Sequence, residues 1–449
     1  MVTGFRASLA QSIHAQAQAA FCPEAAGERT IFLLDYDSYF ARCMQQAYPP
    51  LRGKPVGIRG PAKGTAIIAA STEAKARGVK VGMHVNEALR WCPALIAVAA
   101  DMNMYGEVCT RSLRVLTGYT DRVEPFSIDE AYLDVTDLID VPDDAPMLAQ
   151  RLKRDLRAEL GAGITCSIGI APNKMLAKLV SGFHKPDGIT HVTPAEIPGL
   201  LKDIARTDIC GIGPRVERRL NRLGIYTVEQ LGRLPRETLV REFGVLGHVY
   251  WLWGRGIDLA PVSPYHAQPA EKSMGHGLTL PEAVGSRRTF DGVLLRLCER
   301  IGRRLRAGRF LGRAVAMYVG YDSEDWRGPM LGFGGGRRLP AHTDDSLRIY
   351  QAAQSLMPGP GLERPVRRVN VTVSDLRRGD LQLSLMEDRV KQHNLQQALD
   401  AVNDRFGEFT VMRGALLQDP FPLRGGPPGH GLCKRFDVDG KRTQEETAD

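Results

Sequence analysis

The chain has 449 residues, of which 43% are hydrophobic and 24% are charged, and a single hydrophobic core rarely grows this large, so two to four domains are expected. Lysine and arginine outnumber aspartate and glutamate by 59 to 51; this excess favours a polyanionic partner such as nucleic acid, although charge that serves only solubility would look the same. No run of about 18 apolar residues is present, so no membrane span is expected.

The N-terminal segment precedes the first predicted strand. Residues 1–28 lack a long apolar stretch and a basic start, so we expect a flexible extension and not a signal peptide. The first predicted strand is Ile31–Leu34, which ends at Asp35. Asp37 or Ser38 is predicted to cap the helix that follows, because their side-chain oxygens can accept from the free N–H groups of a first turn.

Strands and helices then alternate as far as about residue 194. Hydrophobic periodicity predicts strands at 56–58, 65–70, 123–126, 131–135 and 164–170, and helices at 72–77, 85–91, 106–120, 146–160 and 173–183. Short helices follow, and the prolines of residues 255–270 predict a linker. Beyond it the pattern predicts helices at 288–307 and 344–357, strands at 315–321 and 369–373, and disorder after 417.

Two acidic segments, far apart in the chain, each follow an apolar strand-like run. One contains Asp35 and the other contains the neighbours Asp129 and Glu130. At a tight bend both neighbours could reach one cluster, which Asp35 and the Tyr36 carbonyl would complete. Such oxygens suit Mg²⁺, and a pair of Mg²⁺ ions serves displacement at phosphorus. The pattern predicts phosphoryl transfer; the alternative is that Asp35 and Asp129 are only helix caps and turn residues.

A second motif indicates DNA binding. Residues 209–214 read Ile-Cys-Gly-Ile-Gly-Pro and precede a helix that carries four arginines, Arg215, Arg218, Arg219 and Arg222. This is typical of a helix-hairpin-helix, in which Gly211 and Gly213 allow close backbone approach and the helix start binds a DNA phosphate. The alternative is an ordinary helical turn.

A short apolar peptide lies near the C-terminus, and its residues are Gln382, Leu383, Ser384, Leu385 and Met386. A peptide of this kind can dock in the apolar pocket of a partner. The start of an amphipathic helix would give nearly the same pattern.

With these segments in view, the chain resembles the Y-family of translesion DNA polymerases, which includes the bacterial polymerase IV branch. The resemblance is carried by 35–41, 51–56, 127–131, 169–174, 176–178, 185–188 and the glycine hairpin at 211–213. It implies an α+β fold, a right-hand polymerase with a ferredoxin-like palm, small fingers, a helical thumb and a C-terminal little-finger domain. The implied domains are a flexible extension at 1–28, the palm at 29–38 and 105–194, the fingers at 39–104, the thumb with its hairpin at 195–258, a linker at 259–270, the little finger at 271–378, and a clamp-binding peptide and tail at 379–449.

The resemblance also implies roles for individual residues. Asp35, Asp129 and Glu130 would be catalytic and, with the Tyr36 carbonyl, would bind two Mg²⁺ ions. The implied nucleotide-binding residues are Tyr39, Phe40, Thr72, Lys75 and Lys185, with Phe40 as a steric gate against ribonucleotides and Lys185 on the triphosphate. The implied DNA contacts are Gly211, Gly213 and Arg215. Residues 382–386 would bind the sliding clamp, with Met386 where phenylalanine is usual.

One departure from the family concerns the triphosphate. In much of the polymerase IV branch, tyrosine and arginine hold this group where this chain has Thr72 and Lys75. Lys75 keeps the charge but loses the fork geometry of arginine. The surrounding segment 71–80 is closer to the catalytic subunit of polymerase V.

The activity implied by the resemblance is template-directed DNA synthesis across damaged DNA, error-prone and without proofreading. Primer–template DNA, a deoxynucleoside triphosphate and the sliding clamp would be the partners of a cytoplasmic monomer that does not bind membranes. The alternative from another class is a catalytically weak or silent adaptor that binds the clamp, although all three acids are present. A nucleotide cyclase with a similar palm would leave the hairpin and the apolar peptide without a purpose.

Overall fold

The computed structural model describes residues 29–60, 65–141, 144–267, 271–323, 331–379 and 389–416. These residues fall into two compact units, one ending at residue 267 and the other beginning at residue 271. In the ranges just given, no helix is long and apolar enough to cross a membrane.

A five-stranded sheet forms the centre of the first unit. Its strands in spatial order are β5 (Val123–Pro125), β6 (Glu130–Asp134), β1 (Ile31–Tyr36), β7 (Cys166–Ala171) and β8 (Ile189–His191). Strand β1 runs antiparallel to both neighbours, and all six of its residues are buried. Because alternate residues of a strand face opposite sides, Phe32 and Leu34 pack into one hydrophobic core, while Ile31 and Leu33 pack into a second.

Helices pack on the two faces of this sheet and on a smaller sheet beside it. The helices are α1 (Tyr39–Ala47), α2 (Thr72–Lys75), α3 (Val85–Trp91), α4 (Met102–Thr117), α5 (Ala145–Leu160) and α6 (Lys174–Val180). The smaller sheet has the order β3 (Ile67–Ala70), β2 (Val56–Arg59), β4 (Ile96–Ala99). On α5 three leucines at helical spacing, Leu152, Leu156 and Leu160, are buried.

Five short helices complete the first unit. They are α7 (Ile197–Asp203), α8 (Pro214–Arg222), α9 (Val228–Arg233), α10 (Arg236–Phe243) and α11 (Val245–Trp253). Helix α9 begins with a capping box, in which the Thr227 side chain accepts from the backbone of Gln230 and the Gln230 side chain accepts from the backbone of Thr227. The Ser71 hydroxyl oxygen caps α2 by accepting from the Ala74 N–H over 3.3 Å.

Much of the predicted linker is attached to the first unit. The Asp258 carboxylate accepts from the backbone N–H groups of Met175 and Ala260, each over 3.1 Å. Arg29 donates to the carbonyl oxygens of Asp258 and Ala260, and Glu124 accepts from the Ser263 N–H. Residues 255–267 contain no helix or strand, and these polar contacts attach the segment to other elements of the first unit.

The second unit is a four-stranded antiparallel sheet with two helices, α12 (Arg287–Ala307) and α13 (Ser346–Gln354), on one face. The strands in spatial order are β11 (Gly332–Thr343), β10 (Phe310–Tyr321), β12 (Val366–Ser374) and β9 (Ser273–Val284), and the short β13 (Arg377–Arg378) pairs with β10. The pattern did not predict β9 and β11. Both are edge strands rich in glycine and proline, which edges tolerate and sheet centres do not.

A further helix, α14 (Arg389–Phe406), packs along α12. The predicted tail contained no such helix. Its contacts to α12 are mainly ionic: Arg306 binds Asp400, Arg303 binds Asp404, and Arg300 binds Glu408 just beyond the helix.

Candidate active site

The three predicted acids meet at one end of the central sheet. Asp35 near the end of β1 lies opposite Glu130, the first residue of β6. The backbone N–H of Tyr36 donates to the carbonyl oxygen of Asp129 over 2.9 Å. Because neighbouring antiparallel strands place the end of one beside the start of the other, the structure brings together segments that are distant in the chain.

The predicted tight bend holds Asp129 in place. The backbone N–H groups of Phe126 and Ser127 both donate to the carbonyl oxygen of Glu130, over 2.9 and 3.1 Å. The Ser127 hydroxyl donates to Asp129 Oδ1 over 2.5 Å and accepts from the Asp129 N–H over 3.2 Å. The bend therefore fixes the carboxylate before any ligand binds.

Two lysines neutralise the acids. Lys178 on α6 donates to Asp35 Oδ2 over 3.2 Å and also to Glu130 Oε1, and Lys185 donates to Asp35 Oδ1 over 2.5 Å. Helix α6 begins at a cap in which Asn173 Oδ1 accepts from the Leu176 N–H, so its first turns lie over the sheet. Sequence reasoning assigned Lys185 to a triphosphate but gave Lys178 no role; the available signal was its place in the family segment 176–178.

Burial and mutual repulsion raise the pKa of two acids. For Glu130, burial is the largest cause, attraction to Lys178 opposes it and repulsion by Asp35 adds to it, which leaves the pKa at about 7. Burial and then Asp35 raise the pKa of Asp129 against the hydrogen bond from Ser127. Burial acts to lower the pKa of Lys178, but its two carboxylate partners raise it further. The cluster therefore favours a nearby cation.

The donor set fits a divalent ion such as Mg²⁺ in charge and in chemistry. Carboxylate and carbonyl oxygens are its usual ligands, and the raised pKa values of Asp129 and Glu130 show acids whose ionised forms need positive charge. Within the described ranges, no three acidic, histidine or cysteine side chains are grouped as a metal site. The ammonium groups of Lys178 and Lys185 lie beside the carboxylates instead.

An aromatic cluster follows the acids along α1. The Phe40 ring stacks on the Tyr105 ring, with centroids 4.3 Å apart and an interplanar angle of 17°. The Tyr39 side chain is buried, and its hydroxyl donates to the Tyr105 carbonyl oxygen over 2.6 Å. Phe40 is thus half-exposed and held by Tyr105, which sequence reasoning missed, whereas the Tyr39 side chain belongs to the core.

The two residues that depart from the family lie on α2, beside α1. Lys75 donates to the Ser38 hydroxyl over 2.9 Å. Thr72 accepts from Arg42 on α1 over 3.4 Å. Arg42 was not among the predicted site residues, because a single arginine in an amphipathic helix carries no distinguishing pattern.

Asp37 is not the helix cap that the sequence predicted. Its carboxylate accepts from the hydroxyls of Thr165 and Ser167, over 2.8 and 2.9 Å, and from the Asp187 N–H over 2.8 Å. Ser38 occupies the cap position without a side-chain cap bond. Asp37 is turned inward because the neighbouring strand β7 offers it these donors, and it thereby joins the Lys185 segment to β1.

The glycine hairpin precedes α8 as predicted. Gly211 has φ +110°, a conformation that favours glycine, and Gly213 caps the helix with Pro214 at its first position. Arg215, Arg218 and Arg222 are exposed, whereas Arg219 binds Glu242 and lies over the Phe243 ring. The apolar peptide at 382–386 lies outside the described residues.

Comparisons with known proteins agree with this geometry. Two family models match, the impB/mucB/samB family at residues 34–182 and the impB/mucB/samB family C-terminal domain at residues 271–385. The chain is 38% identical over 402 residues to a DNA polymerase IV of Moorella thermoacetica, covering 88% of this chain and 98% of that protein. It is 35% identical over 407 residues to a DNA polymerase IV of Pelotomaculum thermopropionicum, covering 89% and 99%. Among solved structures, a Y-family DNA polymerase chimera of Dbh and Dpo4 matches with a TM-score of 0.67 and 25% identity, over 78% of this chain and 100% of that one.

Proposed function

The chain belongs to the Y-family of DNA polymerases, the impB/mucB/samB family, and from this membership we propose how it works. It is a DNA-directed DNA polymerase of the translesion type that acts on primer–template DNA and a deoxynucleoside triphosphate. We propose that it extends a primer 3′-end by two-Mg²⁺ phosphoryl transfer and that it is error-prone and without proofreading.

The observation that carries the proposal is the meeting of Asp35, Asp129 and Glu130 at one end of β1 and β6. These acids and the Tyr36 carbonyl would hold the ions. When bound, two Mg²⁺ ions would activate the primer hydroxyl and neutralise the charge of the triphosphate. The bend at Ser127 keeps Asp129 oriented, so little reorganisation is needed on binding.

The cations around the acids suit the triphosphate. Lys185, one third exposed and paired with Asp35, would contact it, together with Lys75 and Thr72 at the adjacent mouth. Phe40 would lie under the sugar, where its ring, held by Tyr105, would clash with a ribose 2′-hydroxyl. Tyr39 would support this arrangement from the core.

The hairpin and the following helix would bind the DNA backbone. Gly211 and Gly213 present backbone N–H groups near the start of α8, and Arg215 is exposed beside them. Such contacts position a duplex without reading its sequence. The implied division into palm, fingers, thumb and little finger remains part of this proposal.

We further propose that the enzyme works as a cytoplasmic monomer and that residues 382–386 attach it to the sliding clamp. Deleting this peptide should shorten the longest extension products only when clamp is supplied. A defect of equal size without clamp would contradict the tether and indicate misfolding. Light scattering of the pure protein tests the monomer.

The test of the chemical proposal is Asp129→Ala in a primer-extension assay with Mg²⁺. Extension should be lost, while the dissociation constant for primer–template changes by less than about threefold, because the carboxylate acts on the reaction and not on the duplex. Asp137→Ala is the matched control, since Asp137 is an exposed acid paired with Arg122. Equal loss of extension and of DNA binding would contradict the role.

A further inference from the structure

The family pattern assigns no role to Arg42, whose guanidinium lies near the proposed nucleotide-binding residues Thr72 and Lys75. We infer that Arg42 binds the incoming triphosphate and supplies the arginine fork that Lys75 cannot. This inference rests on the proposed function. It concerns the chain's own departure from its family, in which Thr72 and Lys75 stand where tyrosine and arginine are usual.

The position of Arg42 follows from its place on α1. Its backbone N–H donates to the Ser38 carbonyl oxygen over 3.0 Å, and its guanidinium donates to Thr72 Oγ1 over 3.4 Å. Lys75 reaches the Ser38 hydroxyl over 2.9 Å. Arg42 thus contacts Thr72, and Lys75 on the same helix as Thr72 contacts Ser38, which follows Asp35 by three positions.

Arg42 forms no salt bridge in the described part of the chain, and its Nε is buried without a hydrogen-bond partner. The acid on which its charge acts is Glu73: burial acts to raise the pKa of this carboxyl, but its hydrogen bonds and the charge of Arg42 lower it. Glu73, the acid next to Thr72, instead accepts from Gln45 over 3.3 Å. A partly buried guanidinium that lacks a salt bridge and leaves its Nε without a partner has donor capacity that an anion can use.

The chemistry of the three residues suits a polyphosphate. Arginine offers donors in a planar fork that matches phosphate oxygens, whereas lysine acts as a point charge. Threonine at 72 is small, so the guanidinium can approach its hydroxyl; a tyrosine there would fill the same space. Arg42 and Thr72 thus act together as an alternative to the tyrosine and arginine of the polymerase IV branch.

The experiment is single-nucleotide insertion by the full chain, with inorganic tripolyphosphate as a competitive inhibitor. Arg42→Ala should raise the KM for the deoxynucleotide and the inhibition constant of tripolyphosphate by the same factor, about 10- to 100-fold, the range for a charge-assisted hydrogen bond. The dissociation constant for primer–template should stay unchanged. Arg42→Lys should lie between Arg42→Ala and wild type, because it keeps the charge and loses the fork.

The matched control is Arg90→Ala, which removes an exposed arginine from α3 and should leave both constants unchanged. If Arg42→Ala behaves like Arg90→Ala, the inference is wrong. If Arg42→Ala does not fold, the Arg42→Lys result decides in the same way. A wild-type chain that inserts no nucleotide would overturn the proposed function itself, which is a different outcome.

Testing Arg42→Ala in a second variant of the protein distinguishes a contact with the phosphates from a purely structural role of Arg42. In the double variant Thr72→Tyr/Lys75→Arg, the usual family pair is restored, so adding Arg42→Ala should change the tripolyphosphate constant by less than threefold. A change as large as in the wild-type background would show that Arg42 only supports the fold, and it would overturn the inference.

Discussion

Asp35 is almost fully buried yet accepts from two ammonium groups, those of Lys178 and Lys185. Unpaired, an ionised carboxylate in this position would be strongly disfavoured. The two ammonium groups offset the negative charge of the acids. This arrangement fits a site that must accept a highly charged nucleotide and then release pyrophosphate.

At the residue scale, Phe40→Ala should relax sugar selection. On the proposed gate role, removing the ring should relieve a clash with the 2′-hydroxyl of about 1–3 kcal/mol, so ribonucleotide insertion relative to deoxynucleotide insertion should rise about 10- to 100-fold. The ratio of the two kcat/KM values measures it and cancels any loss of active protein. Tyr48→Ala, an exposed aromatic at the end of the same helix, is the control; an unchanged ratio for Phe40→Ala would remove the gate role.

The residues that could be predicted lie at strand boundaries, near the end of β1 and at the start of β6. Asp35, Asp129 and Glu130 follow apolar runs, and the pairing of β1 with β6 makes them neighbours. Lys178 and Arg42 could not be found in this way, because each lies on a helix whose docking depends on contacts distant in the chain. Asp37 was mistaken for a cap because local propensity cannot show that β7 offers better donors.

At the scale of elements, the predicted α+β class and right-hand polymerase fold are confirmed by the similarity to a solved Y-family structure. Strongly periodic elements such as α5 and β1 were predicted nearly whole. Helix α14 was missed because its residues were assigned to the tail, although Leu395, Leu399, Val402 and Phe406 recur at helical spacing. Its docking on α12 includes ion pairs.

The ion pairs between α12 and α14 should differ in strength with their burial. The Arg306–Asp400 side chains are 8% and 20% exposed, whereas those of Arg303–Asp404 are 26% and 67% exposed. Alanine double-mutant cycles should give a coupling of about 1–3 kcal/mol for the first pair and less than about 1 kcal/mol for the second. Hydrogen exchange of the α14 amides measures both. Equal couplings would mean that burial does not control this docking.

His276 on β9 should make the second unit sensitive to acid. Arg300 donates to its Nε2 over 3.2 Å, so the ring must be neutral, and burial followed by Arg300 and Arg304 lowers its pKa to about 4. Since the unfolded chain takes up this proton near the ordinary pKa of 6.5, stability falls as the pH drops from 6.5 toward 4.

The measurement compares wild type with His276→Gln by urea unfolding of the full chain at pH 7.5 and pH 5. Wild type should lose about 1 kcal/mol more than the variant, after allowance for screening of a ring that is not fully buried. The glutamine can still accept from Arg300, so packing is matched. If both proteins lose stability equally, His276 does not control the acid response.

At the scale of the whole molecule, the net positive charge should act through particular surfaces. Arg215, Arg218 and Arg222 lie at helical spacing on α8 and are exposed. Replacing all three with alanine should weaken primer–template binding equally on all sequences. It should also lower the slope of log K against log salt by about 2–3, since each phosphate contact contributes about one.

The control removes the same charge elsewhere on the first unit, from Arg233, Arg236 and Arg241 on α9 and α10, all exposed. Fluorescence anisotropy over a range of salt concentrations gives both slopes. If both triple variants reduce the slope of log K against log salt by the same amount, DNA contacts are spread over the surface and α8 has no special role in binding.

The ordered segment that begins at Gly256 has a practical consequence for recombining relatives. Asn173 donates to the Gly256 carbonyl oxygen over 2.8 Å, and the Tyr265 N–H still donates to the Asp121 carbonyl oxygen over 3.0 Å. In a hybrid protein joined before Gly256, residues 256–265 would come from the other parent. These ten residues would then have to form the contacts that this chain makes with Arg29 and Asn173. A junction placed after Tyr265 keeps all of these contacts native. We therefore expect C-terminal units of relatives to be exchangeable at that position.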